Sequence, residues 1–287
     1  MKTTVVTSAI GAILLTIAFS SHAQRVSVAA QQHAVRDGEV RVLVMLRDNA
    51  QGKRDAAPRL HPRVKKDVDG VLSALPTRAR SKVMRRFERV PAFVLQADAQ
   101  MLAALARDRR VARVDVDTGG SGHAIAPDES SVMNQVHQLA ALGVGGAGMK
   151  VGIVDSGIDT NHTDFLGRIV GQQCFCSVGT GCCPNGGSTQ SGAGAAEDDH
   201  GHGTNVAGII GGDGTVAPRG ALPAANLVAV KVLDRNNRFN TTSDVVAALD
   251  WLASQHPDID TVNLSLGTDT LLAGDCDNAA AWNQALA

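Results

Sequence analysis

Hydrophobic and polar positions in the first third of the chain follow the periods of short strands and one helix. A helix is predicted over Ala99–Asp108, because its apolar residues share one face and Asp98 is suited to cap its first turn. The runs with strand character are Glu39–Leu46, Val90–Ala97 and Val111–Val116. Between the first two runs, 51–82 is polar and basic, with a possible helix over 64–75. The pattern predicts a small α/β domain.

The rest of the chain alternates apolar strands with helices. Strands are predicted at Val151–Asp155, Asn226–Leu233 and Thr261–Gly267. Helices are predicted at Ser131–Leu142, at His202–Ile210, and from a cap at Thr242 or Ser243 to Ser254. The segment 171–199 is rich in Gly, Ser and Cys and predicts a long loop. This alternation predicts an α/β fold, a parallel sheet with helices on both faces.

The N-terminal 23 residues have the pattern of a secretory signal peptide. Lys2 supplies the positive charge, and Val5–Phe19 is an apolar core too short for a comfortable membrane span, although a single anchor is the alternative. We therefore expect a secreted or periplasmic protein that leaves the membrane after signal cleavage. The remaining chain divides into a small domain at 24–117, a Gly- and Ser-rich linker at 118–130 and a larger domain at 131–287.

Charge is distributed unevenly between the two domains. Residues 25–117 carry 20 Lys and Arg against 11 Asp and Glu, a net charge of +9, whereas 118–287 carry 6 against 17, a net charge of −11. Opposite fields favour docking of one half on the other, although two independently solvated surfaces would give the same count. A nucleic-acid partner is not expected, because the chain has no Tyr and only 3% aromatic residues.

Two short segments carry candidate chemistry. The strand Val151–Asp155 delivers a carboxylate into the following Ser-Gly-Ile-Asp loop, and His202 opens a Gly-punctuated helix in the pattern His-Gly-Thr-x-x-Ala-Gly. An acid that orients an imidazole and an imidazole that accepts a proton are two thirds of a catalytic triad. In this order and context the segments resemble the subtilisin-like (subtilase) serine proteases. The resemblance implies that Asp155 and His202 are catalytic, and Asn205 stands where many secreted members have a second His.

The resemblance extends to binding residues. Ser265, Leu266 and Gly267 resemble the strand of the family that binds substrate, whose backbone pairs with an extended peptide; a buried structural strand is the alternative. Asp164 matches a calcium-ligand Asp of the bacterial enzymes, so calcium is possible as a structural ion, but a surface Asp is the preferred interpretation. Metal ligands are otherwise unknown, and the chemistry requires no cofactor.

Four cysteines fall within ten residues of the segment between the two candidate catalytic residues. They are Cys174, Cys176, Cys182 and Cys183. Disulfides in an oxidising compartment are the preferred interpretation, with the connectivity left open; a metal cluster is the alternative. Cys276 is left over, either free or paired with sequence outside this chain.

Taken together, the resemblance implies the precursor of a secreted serine endopeptidase acting on protein or peptide substrates, with 24–117 as its inhibitor-type propeptide. The family's nucleophilic Ser and oxyanion Asn are expected beyond Ala287, because 278–287 has helical character without a stop signal. We therefore expect a C-terminally truncated sequence that is inactive alone. The alternative is a secreted non-catalytic protein whose propeptide-like domain inhibits or chaperones a protease. Specificity, physiological target and oligomeric state are not predicted.

Overall fold

The computed structural model describes residues 25–47, 60–122, 138 and 142–268. The predicted signal peptide, the C-terminal tail with Cys276 and nearly all of the helix predicted at 131–142 lie outside these residues.

The first sheet belongs to the N-terminal domain and is antiparallel. Its strands, in the order β2-β3-β1-β4, are β1 (Glu39–Leu46), β2 (Val83–Arg86), β3 (Ala92–Asp98) and β4 (Val111–Val116). Its helices are α1 (Val28–Asp37), α2 (Leu60–Ala74) and α3 (Ala99–Arg107). As predicted, Asp98 caps α3, its carboxylate accepting a hydrogen bond from the Met101 backbone at 2.8 Å.

The two faces of this first sheet have different partners. Val42, Val44 and Leu95 pack with the domain's own helices. Leu43 and Met45, which point to the opposite face because side chains alternate along a strand, pack with residues of a helix from the larger domain. One face of the N-terminal sheet is therefore covered by its own helices, and the other face is covered by a helix of the larger domain.

The second sheet is mainly parallel, with strand order β11-β6-β9-β7-β8. Its strands are β6 (Lys150–Asp155), β7 (Ile169–Phe175), β8 (Thr189–Ser191), β9 (Asn226–Lys231) and β11 (Thr261–Leu264). Helix α4 (His202–Gly211) packs on the face of Ile153, and helix α5 (Thr242–Gln255) packs on the face of Val154. The predicted α/β fold, with helices on both faces of a parallel sheet, is confirmed.

A third, small sheet joins distant parts of the chain. Strand β5 (Gly120–Gly122) lies between β10 (Arg238–Phe239) and β12 (Leu266–Thr268), antiparallel to both. The prediction of one strand over 261–267 was wrong in this respect. Ser265 separates β11, which pairs with β6 in the second sheet, from β12, which pairs with β5.

Two other local predictions were wrong. The segment 171–199 is not all loop, because β7 pairs with β9 and β8 pairs with β7. Its Gly and Gln residues near the sheet edge break the hydrophobic period that would have revealed a strand. The N-cap of α5 is Thr241, without a side-chain cap bond. The backbone N–H of Ser243 instead donates to Asp117, at 2.8 Å.

Candidate active site

Asp155 is fully buried at the carboxyl end of β6. Its Oδ1 accepts hydrogen bonds from Nδ1 of His202 and from the backbone N–H of Ser156, both at 2.7 Å. Burial raises the pKa of Asp155, while the hydrogen bonds from His202 and Ser156 favour its charged form. The carboxylate is thereby fixed in one orientation relative to the imidazole.

His202 is the first residue of α4, and its side chain is 8% exposed. The helix approaches β6 so closely because Gly203 follows: a Cβ there would lie 2.1 Å from the backbone oxygen of Gly157 and 3.1 Å from Cβ of Asp155. Sterics therefore require glycine directly after the candidate catalytic His. Any larger residue would push the imidazole away from the carboxylate.

Asp198 organises the turn that leads into His202, and sequence reasoning missed it. Its carboxylate accepts hydrogen bonds from the hydroxyls of Ser156 and Thr204 and from the backbone of His200, Gly201 and Thr204. Burial acts to raise the pKa of Asp198, but the hydrogen bonds from Thr204, Gly201 and His200 outweigh it and leave the pKa below its ordinary value. The two acids in Asp198-Asp199 before the His were the available sequence signal.

Lys231 ties the same turn to the end of β6 and was also missed. Its buried ammonium donates to the carbonyl oxygen of Ser156 at 2.7 Å, to Oδ1 of Asp199 at 2.6 Å and to the carbonyl oxygen of Leu233 at 2.8 Å. All three donor positions of the ammonium are used. A Lys within the otherwise apolar strand Asn226–Leu233 was the signal that could have indicated this role.

A groove lined by β10 and β12 holds the segment that follows the N-terminal domain. Leu266 is opposite Gly122 and Gly267 is opposite Ser121, in antiparallel register. Ser265 precedes β12, and its hydroxyl accepts a hydrogen bond from the Asn263 side chain at 3.0 Å. Two of the three predicted substrate-binding residues, Leu266 and Gly267, thus pair with an extended segment of the chain, whereas Ser265 lies just before the paired strand.

The outer face of α5 contacts the N-terminal domain. Val246 and Ala247 pack with Leu43 and Met45 of its sheet. Asp250 accepts hydrogen bonds from three consecutive backbone N–H groups, those of Glu88, Arg89 and Val90, at 2.9, 2.5 and 2.8 Å. One carboxylate on α5 therefore provides the hydrogen-bond acceptor for three successive N–H groups of the N-terminal domain.

The start of α5 carries a second polar contact with the N-terminal domain. Asp117 is buried and bonds to Ser243 through both the backbone N–H and the hydroxyl, and it pairs with Arg41 at 2.7 Å. Burial raises the pKa of Asp117, opposed by Arg41 and Ser243. Arg85 donates to the carbonyl oxygen of Ser243 at 2.9 Å and lies 3.3 Å from a carboxylate oxygen of Asp244. The first turn of α5 thus bonds to Arg41, Arg85 and Asp117 of the N-terminal domain.

The clustered cysteines form two disulfides, Cys174–Cys183 and Cys176–Cys182, and the preferred interpretation is confirmed. They fasten the turn between β7 and β8, which leads towards Asp198. Metal clusters of three or more His, Cys, Asp or Glu residues are absent from the described part of the chain.

Asp164 is fully buried, so its interpretation as a surface residue was wrong. Its two carboxylate oxygens accept the backbone N–H groups of Val216 and Ala217, at 2.8 and 3.1 Å. Calcium binds oxygen ligands, and each oxygen of this carboxylate already accepts one peptide N–H. Nearby, Arg168 donates to the carbonyl oxygens of Asp164, Gly211 and Ala225. Asp164 is thus held by peptide N–H groups, and a calcium role for it stays a prediction.

Comparison with known proteins agrees with the geometry. Residues 146–286 match the sequence profile of the Subtilase family, peptidase group S8. This part of the chain belongs to the subtilase family. Similar proteins include the Extracellular serine proteinase of Thermus sp. (strain Rt41A), 33% identical over 58% of this chain, and Subtilisin DY of Bacillus licheniformis, 37% identical over 45%. Subtilisin E of Bacillus subtilis (strain 168) is 30% identical over 66%.

The matched part of this chain spans less than half the length of these relatives. The matched regions cover 38%, 41% and 45% of the Thermus proteinase, Subtilisin DY and Subtilisin E. Within the described residues, no helix is both long and apolar enough to cross a membrane.

Proposed function

We propose that this chain is part of the precursor of a secreted subtilisin-like serine endopeptidase, in which Asp155 orients His202 and His202 acts as the general base. The observation that carries the proposal is the 2.7 Å hydrogen bond between Nδ1 of His202 and Oδ1 of Asp155. This bond leaves Nε2 as the nitrogen that exchanges a proton with the nucleophile.

The proposed reaction is acyl transfer from a peptide. A serine hydroxyl attacks the scissile carbonyl carbon while its proton passes to His202. The imidazolium, stabilised by the ionised Asp155, then donates that proton to the leaving amine, and water repeats the sequence to release the acid. We propose that the serine and the oxyanion donors come from sequence outside these 287 residues, since the matched relatives are more than twice as long as the regions they share with this chain. The step requires no cofactor.

We further propose that 24–117 is an inhibitor-type propeptide that docks on its own peptidase domain, which begins at 131 after the linker 118–130. The contacts of α5 with the N-terminal sheet support the docking. The pairing of β5 with β12 supports entry of the following segment into the substrate groove. We propose secretion on the basis of the N-terminal segment and the two disulfides, and one of the similar proteins is named as extracellular.

A fluorophosphonate probe tests the enzymatic part. We expect the 287-residue chain alone to show no stoichiometric labelling. We expect the product of the whole open reading frame to be labelled at a serine, and His202→Ala to slow its peptide hydrolysis at least about 10⁴-fold. Asp258→Asn, on the surface, is the matched control. Absence of labelling in the complete product would reject the protease and favour the non-catalytic inhibitor or chaperone.

A further inference from the structure

The segment bound in the groove is unusual in having glycine at both positions that point to one side. Strand β5 is Gly120-Ser121-Gly122, and alternation along a strand puts Gly120 and Gly122 on the same face. Asn237 holds the backbone of this strand: the N–H of Gly122 donates to the carbonyl oxygen of Asn237 at 2.9 Å, and Nδ2 of Asn237 donates to the carbonyl oxygen of Gly122 at 3.2 Å.

Neither glycine leaves room for a side chain. A Cβ on Gly120 would lie 2.1 Å from the carbonyl oxygen of Gly267 and 2.6 Å from the ring of Phe239. A Cβ on Gly122 would lie 2.4 Å from Oδ1 of Asn237, and its next nearest atoms belong to the same side chain. The obstacle at Gly120 is therefore backbone together with an aromatic ring, whereas the obstacle at Gly122 is a single amide.

Asn237 is held in position to act as that obstacle. It has a positive φ of 60°, a conformation that Asn and Gly adopt more readily than other residues. Its Oδ1 is buried and accepts no hydrogen bond from the described residues, so the amide orientation follows from the bond that Nδ2 makes to Gly122. A side chain at 122 could be accommodated only by displacing this amide.

We infer that the groove selects peptides with glycine at the positions of Gly120 and Gly122, and that Asn237 is the specificity-determining residue for the second position. The inference rests on the proposed function in treating β5 as a peptide bound like substrate. It names a substrate class: extended segments with glycine at these two alternating positions.

Amide hydrogen exchange on the full chain tests the inference without requiring catalysis. We expect Gly122→Ala to increase exchange at the amide of residue 122 by about tenfold or more, because an added methyl with no space must displace the strand or the amide. Asn237→Gly removes the obstacle and suits the positive φ, so the double variant should recover most of the protection. Gly120→Ala should lose protection equally, and Asn237→Gly should not restore it.

Gly145→Ala is the matched control, since a Cβ there would be 3.8 Å from Pro223, an ordinary contact. Unchanged protection in Gly122→Ala would overturn the inference. So would equal rescue of both glycine variants by Asn237→Gly, because general loosening of β10 would then explain the result. Failure of serine labelling would reject the protease and leave this measurement of groove selectivity unaffected.

Discussion

Asp250 makes the most concentrated polar contact between the N-terminal domain and α5, and its replacement by Asn tests the docking. Oδ1 accepts the N–H groups of Arg89 and Val90, and Oδ2 accepts that of Glu88. An Asn amide can keep the two bonds to one oxygen, each weakened by about 1 kcal/mol once the charge is lost. Its NH2 group then faces the third N–H, which loses its acceptor at a cost of about 1–3 kcal/mol.

We therefore expect Asp250→Asn to lower the free energy of unfolding of the full chain by about 3–5 kcal/mol in urea titration. Asp258→Asn is the matched control, because Asp258 is 67% exposed and pairs with Lys150 at the surface, so its loss should leave the free energy of unfolding nearly unchanged. The reasoning fails if Asp250→Asn costs no more than Asp258→Asn, since the three backbone bonds would then contribute nothing measurable.

Two further substitutions test the loops around the site. The pKa of Asp198 is held below its ordinary value, so the ionised carboxylate stabilises the fold above the usual carboxyl range, and this stabilisation is lost as the pH falls below about 4. The urea midpoints of Asp198→Asn and of the unmodified chain should therefore converge on acidification. A gap between them that does not change with pH would contradict this. Asp164→Asn should lower the free energy of unfolding by about 1–3 kcal/mol both in calcium and in EDTA, because Asp164 accepts hydrogen bonds from peptide N–H groups. A decrease seen only in calcium would make Asp164 a calcium ligand.

The parts predictable from sequence were those in which local chemistry and tertiary contacts agree. Glu39–Leu46 and Val111–Val116 have the same bounds in the structure as in the prediction; the apolar run of the first strand is buried, and the second buries Val111 and Val114. The expectation that Asp155 and His202 meet rested on family resemblance. The structure supplies its steric condition, the close approach of Gly203 to β6.

The missed elements lack an apolar signal of their own. Helix α1 buries two alanines, Ala30 and Ala34, and is fixed by Ser27, whose hydroxyl accepts the Ala30 N–H at 3.3 Å. Strand β2 has four residues and alternates half-buried with exposed positions. Such short or alanine-lined segments are stabilised by the sheet and helices they contact, so a single-sequence pattern gives them little weight.

Helix α5 shows why the docking surface could not be derived from periodicity. The pattern predicted one inner face that includes Val245 and Leu252, and these residues do pack on the parallel sheet. Val246 and Ala247 are buried as well, because the N-terminal sheet covers the opposite face. The run of apolar residues around the helix, with an acid at each end, was the signal of a helix covered on both sides.

The charge asymmetry indicated that the two halves attract each other, but not how they bind. Arg85 and Asp244 form an ion pair across the interface, whereas Asp250 binds peptide N–H groups and Leu43 and Met45 make apolar contacts. At 0.1 M salt, the interaction between exposed charges more than about 10 Å apart is largely screened, whereas buried hydrogen bonds are affected much less. The net charges of +9 and −11 are therefore expected to steer docking and set its rate, while the buried groups of α5 set its lifetime.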